Sequence, residues 1–195
     1  MEPVTLTTGR LVLRPFSRAD AEAVRDACQD PEIPRWTDVP SPYSLDDALV
    51  FIERIARTGW RTDTQYDFGV FTRDGGVLVG ATGLPRLALA APDRRAEIGF
   101  WTAREQRRRG YTAEAAREVA RWAFTDLGVE RLEWYAQVGN EASRATALRA
   151  GFRMEGTLRA RLPHRGTRRD AWSGSLLPSD LGLPSATPYL PAPRG

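Results

Sequence analysis

Apolar and polar residues alternate in several short segments of the chain, and this period of two predicts β-strands. The segment "RLVLRPF" predicts a first strand at Leu11 to Arg14. Two segments joined by the turn "RDGG", "YDFGVFT" and "VLVGATGL", predict a β-hairpin. Four later segments predict two further strands and a closing antiparallel pair: "AEIGFWT", "RLEWYAQV", "FRMEGTLRARL" and "RRDAWSGSLL".

Two capping-box spacings predict the starts of helices, Ser17 with Asp20 and Ser44 with Asp47. The first helix should stop before Pro31, because proline interrupts the helical hydrogen-bond ladder. The second helix has apolar residues at helical spacing and a glycine at its expected end, namely Leu45, Leu49, Ile52, Ile55 and Gly59.

The longest helical pattern is "TAEAAREVARWAF", and a shorter one, "NEASRATALRAGF", ends at Gly151. The inward-facing positions expected for the long helix are Ala115, Val119, Trp122, Ala123 and Leu127. The resulting order of strands and helices predicts an α/β or α+β fold with strands of mixed direction. Residues 1–178 are expected to form a single domain, and the Pro/Ser/Gly-rich residues 179–195 a mobile or surface-draped tail.

Composition excludes several classes of protein. The chain is 42% hydrophobic and 27% charged, which is ordinary for a globular protein. It has neither a long apolar run nor a signal-peptide pattern, so we expect a soluble, cytoplasmic protein without a membrane partner. The single cysteine, Cys28, cannot form an internal disulfide, which fits a reducing compartment, and no cluster of His and Cys predicts a metal site.

All 28 basic residues are arginine, for which codon usage in a GC-rich genome is the simplest explanation. The 25 acids are scattered among them, and no aromatic-basic RNA-binding motif is present. We therefore expect no nucleic-acid partner, and a local anion site explains the densest arginine cluster better.

That cluster is Arg107, Arg108 and Arg109, which precede a glycine and the long predicted helix. Positive charge is unfavourable at a helix N-terminus, because that end of the helix dipole is itself positive. A bound anion would compensate, and Gly110 has no β-carbon to keep a phosphate from the backbone N–H groups. The alternative is a solvated arginine run in which Gly110 eases a turn. The pattern is neither a Walker A loop nor the three-glycine dinucleotide motif.

The motif Arg107-x-x-Gly110-x-Thr112, after the strand Glu97 to Thr102, resembles the acyl-CoA pyrophosphate loop of the GNAT superfamily of N-acetyltransferases. Other segments, in the same order, are similar to its RimJ/RimL-type branch: "TGRLVLRPFSRADAEAV", "AEIGFW", "NEASRATALRAGFRMEGTLR" and "RRDAWSGSLLPSD". The resemblance covers Leu6 to Leu181. It implies a mixed sheet of about six to seven strands, splayed between the fourth and fifth and flanked by about four helices. Thr112 departs from the family pattern, in which glycine or alanine is usual.

The resemblance implies acetyl-CoA as cosubstrate, with its pyrophosphate as the missing anion. The residues expected at the pyrophosphate are Arg107, Arg108, Arg109, Gly110, Tyr111 and Thr112. A bulge in the preceding strand would free backbone groups of Phe100, Trp101 and Thr102 to pair with the pantetheine arm. Asn140 would contact the same arm, and it also suits a helix N-cap; the two roles are compatible.

The implied reaction is direct attack of a neutral amine on the thioester, which needs a base and a proton for the leaving thiolate. Ser143 is the expected proton donor and a cofactor contact; alternatively, its hydroxyl only satisfies the first turn of its helix. Tyr135 is a second candidate donor, with a core aromatic as the alternative. Glu97 is the first candidate base, and an ion pair with an arginine is its alternative. Further alternatives are His164, Asp170 and water-mediated deprotonation.

The acceptor is expected to be a primary amine, on a protein or peptide N-terminus or on a small molecule. Trp36, Tyr43 and His164 are the expected lining of its pocket, although proline-flanked aromatics also serve as loop anchors. The open alternatives are succinyl-CoA or another acyl donor, an antibiotic acetylase, and a non-catalytic acyl-CoA-binding regulator. Whether the chain forms a homodimer is also open.

Overall fold

A computed structural model describes residues 1–193, and its strands form one mixed sheet in the order β1-β2-β3-β4-β5-β6-β8-β7. The strands are β1 Leu6–Thr7, β2 Leu11–Arg14, β3 Tyr66–Thr72, β4 Leu78–Ala88, β5 Arg95–Thr102, β6 Arg131–Gln137, β7 Arg153–His164 and β8 Thr167–Leu176. The expected mixed α/β fold is confirmed. The eight strands exceed the expected six to seven, because the two-residue β1 is too short to leave a periodic pattern.

The helices are α1 Ala21–Ala27, α2 Glu32–Trp36, α3 Leu45–Val50, α4 Arg57–Thr62, α5 Tyr111–Thr125 and α6 Glu141–Ala150. A π-helical segment, Phe51–Ala56, joins α3 to α4 into one continuous helix. Residues 1–193 therefore contain five helices rather than about four, since the short α2 lies in a segment expected to be a connection.

The π-helical segment also corrects the expected inward face of the second helix. Ile52 is buried there, but Ile55 is about half exposed. A π turn holds more residues than an α turn, so positions beyond it rotate away from the face that an α-helical period predicts. Gly59 lies inside α4 rather than at its end, and the left-handed C-cap residue is Asp63. A Cβ on Gly59 would lie 2.3 Å from the Gln65 side chain, so close packing explains this glycine.

Helices cover both faces of the sheet. The larger core lies under α5 and α6, where Val119, Trp134 and Phe152 are buried. A second core lies between the sheet and the helices α1 to α3, where Val24, Ile52 and Phe71 are buried. Alternate residues of each strand therefore face different helices.

The only parallel neighbours described, β5 and β6, part halfway along their length. Arg95–Ile98 pair with Arg131–Trp134, and no pairing continues beyond Ile98 and Trp134 in the described chain. This splay lies between the fifth and sixth strands rather than the fourth and fifth, because β1 adds one to the count. The expected bulge also lies elsewhere: the extra residue is in β4, between Gly83 and Arg86.

After β8 the chain forms a 3-10 turn at Pro178–Leu181 and then runs along the domain. Leu181 and Leu183 pack against the larger core, and the backbone N–H of Ala186 donates to Glu130 at 2.9 Å. The boundary at residue 178 stays a prediction. No helix in the described part of the chain has the length and apolar character needed to cross a membrane.

Candidate functional site

The N-terminus of α5 lies directly beyond the splayed end of β5, and its backbone donors are uncapped. Gly110 is the N-cap residue, with φ of 77° and no side chain to accept a hydrogen bond. The first intrahelical bond is from Glu114 N to the Gly110 carbonyl at 3.1 Å. The N–H groups of the preceding three residues therefore have no intrahelical partner and are available to an anion.

The three arginines before α5 differ in what they contact. Arg107 donates to the Thr102 carbonyl at 3.2 and 3.3 Å and forms a 2.5 Å ion pair with Asp30. The Asp30 side chain is 8% exposed, so this pair ties the loop to the segment before α2. Arg108 and Arg109 are exposed, and within residues 1–193 they form no ion pair. Of the three arginines before α5, only Arg108 and Arg109 have guanidinium groups available to a ligand at this loop.

Arg149, which sequence analysis missed, approaches the same loop from α6. Its Nη1 lies 3.6 Å from the position that a Cβ on Gly110 would occupy. Arg10 is also near, but its Nε donates to Glu114 at 2.8 Å and its guanidinium lies over the Tyr111 ring. Arg10 is thus neutralised by Glu114, whereas Arg149 adds positive charge beside Gly110.

Thr112 points toward the end of β5. Its Oγ1 lies 2.5 Å from Oγ1 of Thr102, so the two hydroxyls share a hydrogen bond between strand and helix. The methyl-bearing side chain is therefore engaged with β5. This contact gives the departure from glycine or alanine a structural role.

Asn140 and Ser143 lie across the splay, at the start of α6. Asn140 is the N-cap residue, and its Oδ1 accepts from Ser143 N at 3.1 Å. Ser143 Oγ accepts from the indole N–H of buried Trp134 at 3.2 Å. Because this bond uses an acceptor position of the hydroxyl, its proton remains available for donation.

Glu97 and Tyr135 lie on the opposite face of the sheet from Trp134. Glu97 forms a 2.8 Å ion pair with Arg86, and its register partner in β6 is Glu133. Tyr135 is half-buried on this face rather than in the larger core, and its hydroxyl donates to Glu133 at 3.1 Å. Burial and the charge of Glu133 raise the pKa of Tyr135.

A cavity of about 370 Å³ lies between the helices α1 and α3 and the strands β4 and β5. Phe100 and Trp101 of the splayed strand line it, as does Tyr43 from the loop before α3. The structure thus brings one expected acceptor residue and two expected pantetheine residues to a single cavity.

Trp36 and His164 line a separate, larger cavity of about 920 Å³. Four arginines contribute to its walls: Arg35, Arg165, Arg168 and Arg169. His164 is the last residue of β7 and only 9% exposed. Its Nδ1 lies 4.0 Å from Asp38, which also lines the smaller cavity, so the two cavities are neighbours.

Asp67 of β3 also lines the smaller cavity and was not predicted. Its Oδ2 accepts from Gln65 at 2.6 Å. Burial in apolar surroundings raises the pKa of this carboxyl, and the hydrogen bond from Gln65 opposes that shift only in part. The sequence analysis used "YDFGVFT" only as one strand of a predicted hairpin, and nothing in the local pattern distinguishes Asp67 from other polar strand residues.

The Cys28 thiol lines this cavity too, and burial raises its pKa to about 12. Because the thiolate is the reactive form, we expect no reaction of the native protein with a thiol reagent at pH 8. The denatured chain should react at its single cysteine. Titration with and without guanidinium chloride measures this difference, and stoichiometric labelling of the native protein would contradict the assigned burial.

Comparisons with known proteins agree with this geometry. The family model described as "Acetyltransferase (GNAT) domain" matches residues 10–153. The uncharacterized N-acetyltransferase YoaA of Bacillus subtilis (strain 168) is 33% identical over 165 residues, 85% of this chain and 92% of that protein.

Two solved structures share the fold. A "putative ribosomal-protein-serine acetyltransferase" from Vibrio cholerae is 28% identical, with a TM-score of 0.78 over 90% of this chain and 98% of its own. Mycobacterium smegmatis RimJ, solved in complex with CoA-disulfide, is 22% identical, with a TM-score of 0.81 over 93% and 92% of the two chains. The chain belongs to the GNAT family of acetyltransferases, as the resemblance to its RimJ/RimL-type branch implied.

Proposed function

We propose that this acyl-CoA-dependent N-acetyltransferase transfers the acetyl group of acetyl-CoA directly to a primary amine in a ternary complex. The observation that carries the proposal is the uncapped N-terminus of α5, next to Arg108 and Arg109, which form no ion pair within residues 1–193, and next to the edge of β5 that is unpaired in the same residues. A helix N-terminus with flanking guanidinium groups suits a pyrophosphate, and an open strand edge suits an amide-containing chain.

The pyrophosphate is assigned to the first turn of α5. The N–H groups following Gly110 would donate to the phosphate oxygens, with charge-assisted bonds from Arg108, Arg109 and Arg149. Arg107 is assigned a different role, because Thr102 and Asp30 already occupy its guanidinium. It holds the loop rather than the ligand.

The pantetheine arm is assigned to the gap between β5 and β6. Within the described chain, Phe100, Trp101 and Thr102 pair with β4 on one side only. Arg107 already occupies the Thr102 carbonyl, so the other outward backbone groups are the ones left for the amides of the arm. Asn140 follows β6, the strand on the other side of the gap. Its Oδ1 is occupied by Ser143 N, and its amide N–H groups remain to donate.

The pantetheine assignment places the thioester beside β5, and the acetyl transfer would take place there. The amine lone pair forms a C–N bond to the carbonyl carbon, the C–S bond breaks, and the sulfur leaves as a thiolate. Ser143 is favoured over Tyr135 for protonating the thiolate, because the Tyr135 hydroxyl already donates to Glu133. Glu97 is less suited to act as base than the sequence indicated, since Arg86 holds its carboxylate.

Arg149→Ala tests the pyrophosphate assignment. A hydrogen bond to a charged group contributes about 1.5–3 kcal/mol, so we expect the Kd for acetyl-CoA to rise about tenfold or more. Acetyl-pantetheine has no pyrophosphate, and its affinity should not change. Arg117→Ala, on the exposed side of α5, is the control. Equal losses for both ligands would contradict the assignment.

The proposal as a whole is tested by CoA thiol release. Acetyl-CoA and succinyl-CoA are each offered with peptide N-termini, amino acids, polyamines, aminoglycosides and small apolar amines. We expect amine-dependent release from acetyl-CoA. Faster release from succinyl-CoA would favour the longer donor, release with aminoglycosides alone would favour an antibiotic acetylase, and bound acetyl-CoA with no turnover would favour a regulator. A cytoplasmic location belongs to the same proposal, since the buried Cys28 needs no oxidising compartment.

A further inference from the structure

We propose that Asp67 binds and deprotonates the acceptor amine, and that the acceptor is a primary amine with an apolar body that fills the 370 Å³ cavity. This inference rests on the proposed function, because it needs the thioester beside β5. It adds a catalytic residue and a substrate class to that function.

The strand register directs the Asp67 side chain toward the position assigned to the thioester. Asp67, Gly83 and Gly99 are consecutive register partners across β3, β4 and β5. Oδ1 of Asp67 lies 3.0 Å from the position that a Cβ on Gly83 would occupy, so the carboxylate leans over β4. Strands are about 4.8 Å apart, so about one strand spacing separates the carboxylate from β5.

The remaining space is open at Gly99. A Cβ there would meet only the Pro85 ring, at 3.8 Å. An ammonium that donates to Oδ1 of Asp67 at about 2.8 Å would lie above Gly99, next to the free edge of β5. Oδ2 is held by Gln65, whereas Oδ1 has no hydrogen-bond partner among residues 1–193.

The charges of the cavity select a cation. None of the 28 basic residues of the chain is among the described residues that line it, whereas three aspartates are. Asp38 is 92% exposed at the rim beside His164, and Asp47 lies at the start of α3, where Ser44 donates twice to its Oδ2. Asp67 is the aspartate whose strand register leads to Gly99, so it is the carboxylate beside the proposed amine position. The larger cavity is lined by four arginines as well as Asp170, and this excess of positive charge is unfavourable for an ammonium group.

The walls select an apolar body. Apart from the acids, the lining is largely aliphatic and aromatic, including Val24, Tyr43, Phe51 and Trp101. Val50 and Ile55 are about half exposed and add apolar surface to it. A volume of about 370 Å³ lies at the small end of ligand pockets, which suits a compact hydrophobic group.

The proton balance is complete with these groups. The ammonium gives one proton to Oδ1 of Asp67, and the neutral nitrogen attacks the thioester carbonyl. As the C–S bond breaks, Ser143 gives its hydroxyl proton to the thiolate and takes the second nitrogen proton in its place. Asp67 then returns its proton to solvent, and the products are the amide and free CoA.

The test compares 2-phenylethylamine with ethanolamine, an amine without an apolar body, in the thiol-release assay. We expect wild type to prefer 2-phenylethylamine. Asp67→Asn should lower kcat/KM about 100-fold, the lower end for loss of a general base, with an unchanged Kd for acetyl-CoA. Gly99→Ala, for which the fold has room, should raise KM for the amine by obstructing its position. Asp74→Asn, exposed in the β3–β4 turn and outside the cavity lining, is the matched control.

The pH profile separates proton transfer from a structural effect. The wild-type kcat/KM should fall as pH falls through the raised pKa of Asp67, and Asp67→Asn should lose this limb. The other titratable groups facing the cavity are Cys28, Asp38, Tyr43 and Asp47. Burial raises the pKa of both Cys28 and Tyr43, and the hydrogen bonds from Ser44 lower the pKa of Asp47. The variant Asp38→Asn measures any contribution of Asp38 to the pH profile.

Wild-type kcat/KM in Asp67→Asn, or preference of the wild type for ethanolamine, would overturn the inference. So would absence of turnover with 2-phenylethylamine when acetyl-CoA is bound. If the wild type does not bind acetyl-CoA, the proposed function fails instead, and the binding measurement distinguishes the two failures.

Discussion

Gly110→Trp is expected to abolish acetyl-CoA binding while leaving the domain folded. The indole would occupy the space in front of the α5 N–H groups, where the pyrophosphate is assigned. A Cβ at this position meets only the guanidinium ends of Arg149 and Arg10, at 3.6 and 3.8 Å, and no backbone atom, so the backbone need not move. The cost to folding is that of a left-handed residue, about 1–2 kcal/mol, because φ is 77°.

Gly76→Trp is the matched control, since Gly76 also has positive φ, at 61°, and nothing within 4 Å of its Cβ position. It is exposed in the β3–β4 turn rather than part of the loop, and Gly76→Trp should lose similar stability but bind acetyl-CoA normally. Thermal unfolding and isothermal titration measure the two effects separately. Wild-type affinity in Gly110→Trp would place the cofactor elsewhere.

Arg107→Ala is expected to destabilise the protein more than it weakens cofactor binding. The substitution leaves the Asp30 carboxylate, 8% exposed, without its cation. Removing one partner of a fully buried pair costs about 3–5 kcal/mol; because Arg107 is one-third exposed, we expect about 2–3 kcal/mol here. For a chain of this length that lowers Tm by about 4–12 °C.

Arg109→Ala, two residues away, should weaken acetyl-CoA binding more than it destabilises the protein. Its side chain is exposed, so stability should change by no more than about 0.5 kcal/mol while the Kd for acetyl-CoA rises. Adding Asp30→Asn to Arg107→Ala should restore part of the lost Tm, because it removes the uncompensated charge. A wild-type Tm with weak binding in Arg107→Ala would instead make Arg107 a phosphate ligand.

The predictable parts of this fold are those that local chemistry determines. Ser44 and Asp47 form the expected capping box, and Gly151 ends α6 in a left-handed conformation. The β3–β4 hairpin and the strand-loop-helix unit around Gly110 also follow the sequence pattern. In each case the interacting residues are close neighbours along the chain.

The parts that could not be predicted depend on contacts between distant segments. Arg107 is indistinguishable from Arg109 until the fold brings Asp30 beside it. Arg149 reaches Gly110 only because α6 packs against α5. The orientation of the Asp67 side chain toward β4 and β5 depends on the strand register, which places Gly83 and Gly99 beside it. The strand-loop-helix unit around Gly110 was therefore predicted from sequence, whereas the different contacts of its arginines were not.

The most direct test of the central claim is isothermal titration of the wild-type protein with acetyl-CoA, followed by the same titration with acetyl-pantetheine. A site built from the first turn of α5 and its arginines predicts one acetyl-CoA per chain and markedly weaker binding of acetyl-pantetheine. Equal affinities for the two ligands, or no binding of acetyl-CoA, would contradict the assignment of the pyrophosphate to Gly110 and its neighbours.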